Sequence, residues 1–287
     1  MGPLLNWHKE PPALRRPVLL CALEGFIDAG GAASSAASFL SHRWQSEPIA
    51  EFDRDAFIDY RARRPVALVD SGELRRIDWP GIELYAATVD GPRDAVFLLG
   101  AEPDMRWQGF CEEIAAACKQ LGVEISIGLG AYPAAVPHTR PIRIMRGNNS
   151  LAGDLIPEAL PIPGYNGPVG IGTTLQTVLG EHGIPAVGLW AEVPHYIAGA
   201  PNPGSALALV RLVTAAMHTG VDTTELEAAA VAHREQVDQA VSEHDEAGRM
   251  VEALEVYLDE NEGSQPFPTG DELAAEIERF LRTQAGE

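Results

Sequence analysis

The sequence predicts an α/β fold: a three-layer α/β/α sandwich around a largely parallel or mixed sheet, followed by a C-terminal helical hairpin. Three observations predict it. Short continuous apolar runs recur from Pro17 to Glu192, and a run without polar alternation marks a strand covered on both faces. Stretches of helical spacing bounded by glycines lie between the runs, so strands alternate with helices. After residue 221 the chain becomes acidic with one narrow apolar seam, which divides its 287 residues into a body, 1–221, and an appendage, 222–287.

Pro17 to Leu23 is the first core strand, and Val66 to Val69, Ala95 to Leu99, Ile125 to Leu129 and Ala186 to Trp190 have the same character. Ile82 to Val89 is a weaker run, expected nearer an edge. Helices are expected over Ala29 to Leu40, over Asp104 to Leu121 with Asp104 as N-cap and Gly122 as the C′ glycine, and over Thr173 to His182. Asn202 followed by Pro203 reads as a cap and first helical position; Leu207, Val210, Val213 and Met217 then share a face, and Gly220 is the stop. In the appendage, Thr224 and Glu227 form a capping box. Apolar positions at spacings of four and three then run from Leu226 through His233 and His244 to Leu258, predicting one long helix. Gly263, Pro266 and Pro268 break it, and a second box, Thr269 with Glu272, opens a short helix carrying Leu273, Ile277, Phe280 and Leu281. So thin a seam cannot stand alone in water, so the hairpin packs on the body or on another subunit.

With 21 basic and 41 acidic side chains the chain carries −20, which repels phosphate backbones and excludes nucleic acid as the main partner. Residues 222–287 hold 18 of the acids and 4 arginines, so −14 of the charge belongs to the appendage. Lys9 and Lys119 are the only lysines, and neither sits in a phosphate loop or Schiff-base setting, so ATP-driven chemistry is disfavoured. Cys21, Cys111 and Cys118 are too few and too far apart for a disulfide framework or zinc cluster and read as buried thiols. The first nine residues lack the pattern of a secretion signal and no run approaches the roughly 20 apolar residues of a membrane span, so a soluble, cytoplasmic protein with no membrane partner is expected.

Ligands of open α/β sheets collect at the strand carboxyl ends, which directs attention to four clusters. Asp28 with the backbone amides of Gly25, Gly30 and Gly31 follows the first strand, either as an anion loop or as a helix cap with tight glycine packing. Glu102 and Arg106 follow the strand ending at Gly100 and read as capping acids with an arginine reaching back to a carboxylate. His138 and Arg140, between Pro137 and Pro141, suit an anion site or a subunit contact equally. Glu192 and His195 follow the last core strand, but Pro194 denies them a helical H-E-x-x-H face, so no metal is assigned. There is no G-x-G-x-x-G, no G-x-S-x-G, and no partner the sequence identifies for Ser71 or Ser205, so neither a cofactor nor a catalytic residue is assigned.

Several marks together resemble the bacterial branch of the proteasome assembly chaperone two family: Gly25-Phe26-x-Asp28-Ala29-Gly30, Glu102-Pro103 with Arg106-Trp107, Pro137-His138-Thr139-Arg140-Pro141, Gly167-Pro168-x-Gly170 and Trp190-Ala191-x-Val193-Pro194-His195-Tyr196. The tail, with Ser264, Gly270-Asp271 and Glu278-Arg279-Phe280-Leu281-Arg282, is similar to that branch as well. The resemblance implies an α/β/α fold similar to purine nucleoside phosphorylases, homo-oligomers and no established catalytic activity; a trimer is the expected assembly. Chaperones of this kind end in a hydrophobic residue, a tyrosine and one more; this sequence ends Thr283-Gln284-Ala285-Gly286-Glu287, so that docking mode is not expected. The reading from residues alone keeps an alternative: a small-molecule enzyme or sensor in which Asp28, Glu102, Arg106, His138, Arg140, Glu192 and His195 line one pocket for an anionic ligand, with His138 or His195 as acid/base.

Overall fold

The computed structural model describes residues 4–162 and 164–260, so the expected short helix over Leu273 to Leu281, with its capping box, lies outside the described residues. In chain order the elements are β1 (Leu5–Trp7), β2 (Val18–Glu24), α1 (Ala32–Arg43), β3 (Glu47–Phe52), α2 (Arg54–Phe57), β4 (Val66–Asp70), β5 (Glu73–Asp78), β6 (Ile82–Ala87), β7 (Ala95–Ala101) and α3 (Trp107–Leu121). They continue with β8 (Ile125–Ala134), β9 (Ile144–Asn148), β10 (Leu160–Pro161), α4 (Ile171–Glu181), β11 (Ala186–Pro194), α5 (Pro203–Ala216), α6 (Thr224–Ser242) and α7 (Asp245–Glu260).

Nine strands form one mixed sheet in the order β1-β3-β6-β7-β2-β8-β11-β9-β10. The central pairs β7–β2, β2–β8 and β8–β11 are parallel, whereas β1–β3, β3–β6, β6–β7 and β11–β9 are antiparallel. The unbroken apolar run of β2 follows from its place: Leu19 and Cys21 enter one core, while Val18, Leu20 and Ala22 enter the other. α3 and α4 cover the first core, where Phe52, Phe57 and Phe110 meet with ring centroids 4.6 to 5.6 Å apart, an arrangement that adds about 0.5–1.5 kcal/mol per pair beyond area burial. α1 and α5 cover the second, and α1 approaches the sheet closely because its buried face is mostly alanine: Ala32, Ala33, Ala36 and Ala37.

Local signals were decisive where the chain itself supplies the partner. Gly122 closes α3 at φ 70°, and the Asn202 side chain accepts from Ser205 N at 2.9 Å to cap α5. Other expectations need correction. The run Val66 to Val69 is no core strand: β4 pairs only with β5, and all eleven residues of this hairpin are exposed. β6 is interior, because β1 and β3 add outside it. The helix expected from Ala29 begins as a short 3₁₀ turn, Ala29–Gly31, before α1 proper. Asp104 does not cap α3; its carboxylate accepts from Asp59 N at 2.8 Å, and the helix starts after Arg106, held at φ 60°. α5 ends at Ala216 rather than at Gly220, with His218 in the left-handed region at φ 53°.

The appendage also departs from expectation. Thr223, not Thr224, precedes α6, and its hydroxyl donates to Glu227 Oε1 at 2.6 Å in place of the reciprocal box. The long helix is two helices, interrupted at Glu243 and His244. Ser242 Oγ donates to Gln239 O at 2.7 Å and His244 Nδ1 lies 3.0 Å from Ala240 O, so side chains compete there for the carbonyls that would continue the helix. Val237 and Val251 are the buried points of the seam, while Ala240 and His244 are exposed. No described helix is long and apolar enough to cross a membrane.

Candidate functional site

The carboxyl ends of β2, β7, β8 and β11 meet at one edge of the sheet. The cleft there is largely filled by the chain itself, leaving a cavity of about 40 Å³. The Trp190 indole lies against the strand glycines: an added Cβ on Gly188 would come within 2.5 Å of Trp190 and of the Gln176 amide, one on Gly130 within 2.4 Å of the indole, and one on Gly147 within 2.9 Å. These glycines therefore serve as a bed for one aromatic ring.

Glu102 closes the same cleft. Its Oε1 accepts from Ile171 N, the first residue of α4, at 2.8 Å, and its Oε2 accepts from Phe26 N at 3.0 Å. The helix N-terminus that would attract an external anion thus holds the chain's own carboxylate. Gly25 sits against that carboxylate, and a Cβ there would overlap it at 2.2 Å. The anion-loop reading of the first cluster is corrected on the same grounds. Gly30 N donates to Ala198 O at 2.8 Å and Gly31 N to Asp28 O at 2.9 Å, so these two amides are already used. Asp28 takes the capping role: Oδ1 accepts from Ala33 N at 2.8 Å and Ser34 N at 3.2 Å, and Oδ2 from Ser34 Oγ at 2.6 Å.

A much roomier cavity lies elsewhere. It is an open groove of about 1020 Å³ between α6 and the body, against the ends of β9 and β11, and its lining includes His138, Arg140 and Glu192. Glu192 is 6% exposed and binds Arg143 bidentately, accepting from Nε at 2.6 Å and from Nη2 at 2.9 Å, while Tyr132 Oη donates to Oε1 at 3.0 Å. Burial, with the Glu192 charge next, pushes the Tyr132 hydroxyl well above the usual tyrosine range, so it stays a neutral donor.

His138 fastens α6 to the body. Its backbone N–H donates to Tyr196 Oη at 2.8 Å, its Nδ1 lies 2.6 Å from the same oxygen, and its Nε2 lies 2.9 Å from Asp238 Oδ1. One tautomer satisfies all three: the Tyr196 hydroxyl donates to Nδ1, and Nε2–H donates to the carboxylate. Burial pushes the Tyr196 hydroxyl up to about 12, so the Asp-His-Tyr arrangement is a clip between elements and not an activated nucleophile. Around it Arg234 Nη2 donates to Thr139 O at 3.3 Å, Thr139 bonds Glu255, and Arg140 Nη2 meets Asp259 at 2.7 Å. Of the residues expected to form a site, Glu102 lines the cleft and His138, Arg140 and Glu192 the groove, while Asp28, Arg106 and His195 line neither. Arg106 lies over the Phe57 ring at 5.7 Å instead of reaching a carboxylate, and His195 Nδ1 lies 3.3 Å from Ala134 O.

Sequence reasoning missed Tyr132, Arg143 and Asp238, and it had Tyr196 as a family mark without its bond to His138. Tyr132 is the register partner of Glu192 across two parallel strands, and Asp238 meets His138 across 100 residues, so no local spacing announces either. The cysteines are where expected, all buried, and burial pushes each thiol up to about 12. Among the described residues no group of three potential metal ligands gathers.

The model of the PAC2 family matches residues 22–241. The fold is similar to that of a Corynebacterium glutamicum protein of unknown function, at 29% identity and TM-score 0.85, covering 90% of this chain and 98% of that one. It is similar also to the Mycobacterium tuberculosis protein of unknown function Rv2714, at 32% identity and TM-score 0.83, covering 97% and 92%. The Mycobacterium tuberculosis proteasome-assembly chaperone homologue Rv2125 is 36% identical with TM-score 0.74, covering 82% of this chain and 99% of its own. No curated protein matches the chain.

Proposed function

The chain belongs to the PAC2 family, and from that premise we propose that it is a non-enzymatic, homo-oligomeric interaction protein of the assembly-chaperone type, working in the cytoplasm as a trimer. One observation carries the reading. The strand-end cleft, where an α/β enzyme of this build holds its substrate, is occupied by the Trp190 indole and by the Glu102 carboxylate on its two amides. What the body offers instead are surfaces: a groove lined by paired arginines and an exposed hairpin. The acidic appendage is held by several side chains of the 137–140 loop, and its charge favours a partner with basic surface.

The anion-binding alternative loses its ligands to the chain itself. Arg140, Arg143 and Arg211 pair with Asp259, Glu192 and Glu227 at 2.6 to 2.7 Å, so a free anion has to displace an intramolecular carboxylate at each.

Two measurements test the proposal. Light scattering of the full chain at micromolar concentration is expected to give a trimer, and a monomer refutes the oligomer claim. Assembly of purified proteasome α- and β-type subunits is then followed with and without the chain. Faster appearance of the core particle, or a captured α-subunit intermediate, supports the chaperone role; identical time courses and no co-migrating complex refute it for the proteasome.

A further inference from the structure

Three polar side chains where α3 meets α4 form a line of contacts outside both the cleft and the groove. Lys119 Nζ lies 2.7 Å from His182 Nδ1, and His182 Nε2 lies 2.8 Å from Glu112 Oε2. We infer that this Glu112–His182–Lys119 relay is a modification site: Lys119 is a nucleophile for activated acyl groups, His182 is its base, and Glu112 positions the imidazole. The inference is independent of the oligomer and of the chaperone reading.

The fold sets the geometry. Glu112 and Lys119 stand seven residues apart on α3, close to two full turns, so they share one face of the helix. His182 comes from the neighbouring helix, as the C-cap of α4, and its backbone N–H donates to Val178 O at 3.0 Å, which fixes the point from which the ring projects. The imidazole therefore bridges two residues of α3 from outside it. Its side chain is 28% exposed, whereas Lys119 and Glu112 are exposed, so the base is partly sheltered while the amine is within reach of a reagent.

The tautomer follows from the partners. A carboxylate only accepts, so Nε2 carries the ring hydrogen and donates to Glu112, which leaves the Nδ1 lone pair aimed at Nζ. An ammonium donates into that lone pair at rest, and an attacking amine loses its surplus proton to it. The order of nucleophile, base and orienting carboxylate is that of acyl-transfer sites, with an amine in place of a hydroxyl or thiol.

The reagent class is an acyl group whose leaving group departs as a stable anion, a thioester or an acyl phosphate, since the relay has no acid aimed at a leaving group. The Lys119 ammonium first gives one proton to water. The free amine attacks the acyl carbon and forms the C–N bond; the surplus proton on nitrogen passes to His182 Nδ1. The C–S or C–O bond then breaks, and the thiolate or phosphate leaves with the electron pair. The imidazolium, facing Glu112, returns its proton to water, and nothing is oxidised or reduced. The product amide keeps one N–H that can donate to Nδ1, so modification adds one unit to the formal charge of −20 without abolishing the α3–α4 bridge.

The chain carries its own control. Lys9, the only other lysine, is also exposed, and its Nζ lies 2.6 Å from Glu47 Oε2. The hydrogen bond from Lys9, with its charge next, holds the Glu47 carboxyl below the usual carboxylate range. A group that gives up its proton so easily is a poor acceptor for one from an attacking amine. Exposure by itself predicts similar rates at the two lysines, whereas the relay predicts a faster Lys119.

The test uses the full chain at pH 8, with acetyl coenzyme A in one sample and acetyl phosphate in another, and follows both lysines by peptide mass spectrometry. Lys119 is expected to acetylate roughly tenfold faster than Lys9, short of the 10²–10⁴-fold of an enclosed base because water reaches this pair. His182→Gln should bring Lys119 down to the Lys9 rate and leave Lys9 unchanged. Glu112→Ala should slow Lys119, and Glu112→Gln, whose amide oxygen still accepts from Nε2–H, should recover part of the loss. In denaturant the two lysines should react alike, since only the folded chain brings α3 and α4 together. Selectivity with acetyl coenzyme A alone assigns the site to thioesters, and with acetyl phosphate alone to acyl phosphates. Equal rates at the two lysines with both reagents, or a Lys119 advantage that survives His182→Gln, overturns the proposal. If His182→Gln fails to fold, the two Glu112 variants and the native-to-denatured comparison decide.

Discussion

Glu192→Ala is the most informative single perturbation of the groove, because it removes an acceptor shared by Arg143 and Tyr132. Glu192 is 6% exposed, and it accepts from Arg143 twice and from Tyr132 once. Breaking one side of a fully buried ion pair costs about 3–5 kcal/mol, mostly because the remaining charge is stranded. Arg143 is not fully stranded: its side chain is 26% exposed and regains some water, which lowers the expected loss to about 2–4 kcal/mol. Tyr132 is deeper and contributes to that cost by losing the carboxylate acceptor 3.0 Å from its hydroxyl. At roughly 2 °C per kcal/mol for a chain of this length, the midpoint of thermal unfolding falls by about 4–8 °C. Glu192→Gln keeps the shape and one acceptor and is expected to lose about half as much. The double variant Glu192→Leu with Arg143→Met, which removes both charges together, should return to within about 1–2 kcal/mol of the parent. Unfolding followed by circular dichroism, with a urea titration as a second probe, measures all four proteins. A loss under about 1 kcal/mol for Glu192→Ala, or a double variant no better than the single, refutes the claim that the pair is held by mutual desolvation.

Three further outcomes follow from named groups. The thiols of Cys21, Cys111 and Cys118, pushed up to about 12 by burial, are almost wholly protonated at pH 8, so a thiol-specific reagent should label none of the three in the native chain and all three in denaturant. Burial, and next the charge of His138, hold the His233 imidazole on α6 below the usual histidine range; the undocked helix therefore takes up the proton first, so α6 is held at full strength above about pH 6.5 and loosens as pH falls below it. Hydrogen exchange of α6 amides at pH 5.5 and 7.5, corrected for intrinsic rates, should show this loosening, and His233→Gln should abolish it. Trp190→Ala is expected to cost about 3–5 kcal/mol and to open the glycine-lined cleft to small apolar molecules, read as a rise in unfolding temperature with added indole that the parent lacks.

The legible parts of the fold are those whose cause lies within a few residues. β2 is apolar throughout because both faces are covered, and Asn202-Pro203 opens α5 through a bond three residues long. Val66 to Val69 departs from its expectation because an exposed hairpin and a buried strand share one composition; only the second has neighbours on both sides. β3 was invisible for the opposite reason, since Glu47, Pro48 and Glu51 hide Ile49, Ala50 and Phe52. At the site, four clusters were found as sequence but not as geometry. Glu192 acquires its meaning from Tyr132 and Arg143, and His138 from Asp238, through register and docking that no spacing encodes. The strand glycines were visible as glycines, but their reason is the indole of Trp190.

Internal carboxylates support the proposed preference for contact over chemistry. In an α/β enzyme the loops after parallel strands must part and close around a ligand, and their amides must be vacant in the open form. Here Glu102 ties the loop after β2 to the start of α4, and Asp28 ties the same loop to α1. Each tie is a charge-assisted bond from a backbone N–H, so opening the edge means stripping a carboxylate from two amides at once. The edge of the sheet is thereby fixed, whereas the hairpin between α2 and β6 stays exposed and the 137–140 loop is clipped to α6 and α7. A Glu102→Gln substitution separates charge from shape at this tie. If the carboxylate is what locks the edge, exchange of the Phe26 and Ile171 amides rises while the light-scattering mass is unchanged; unchanged exchange would mean that packing alone holds the loops.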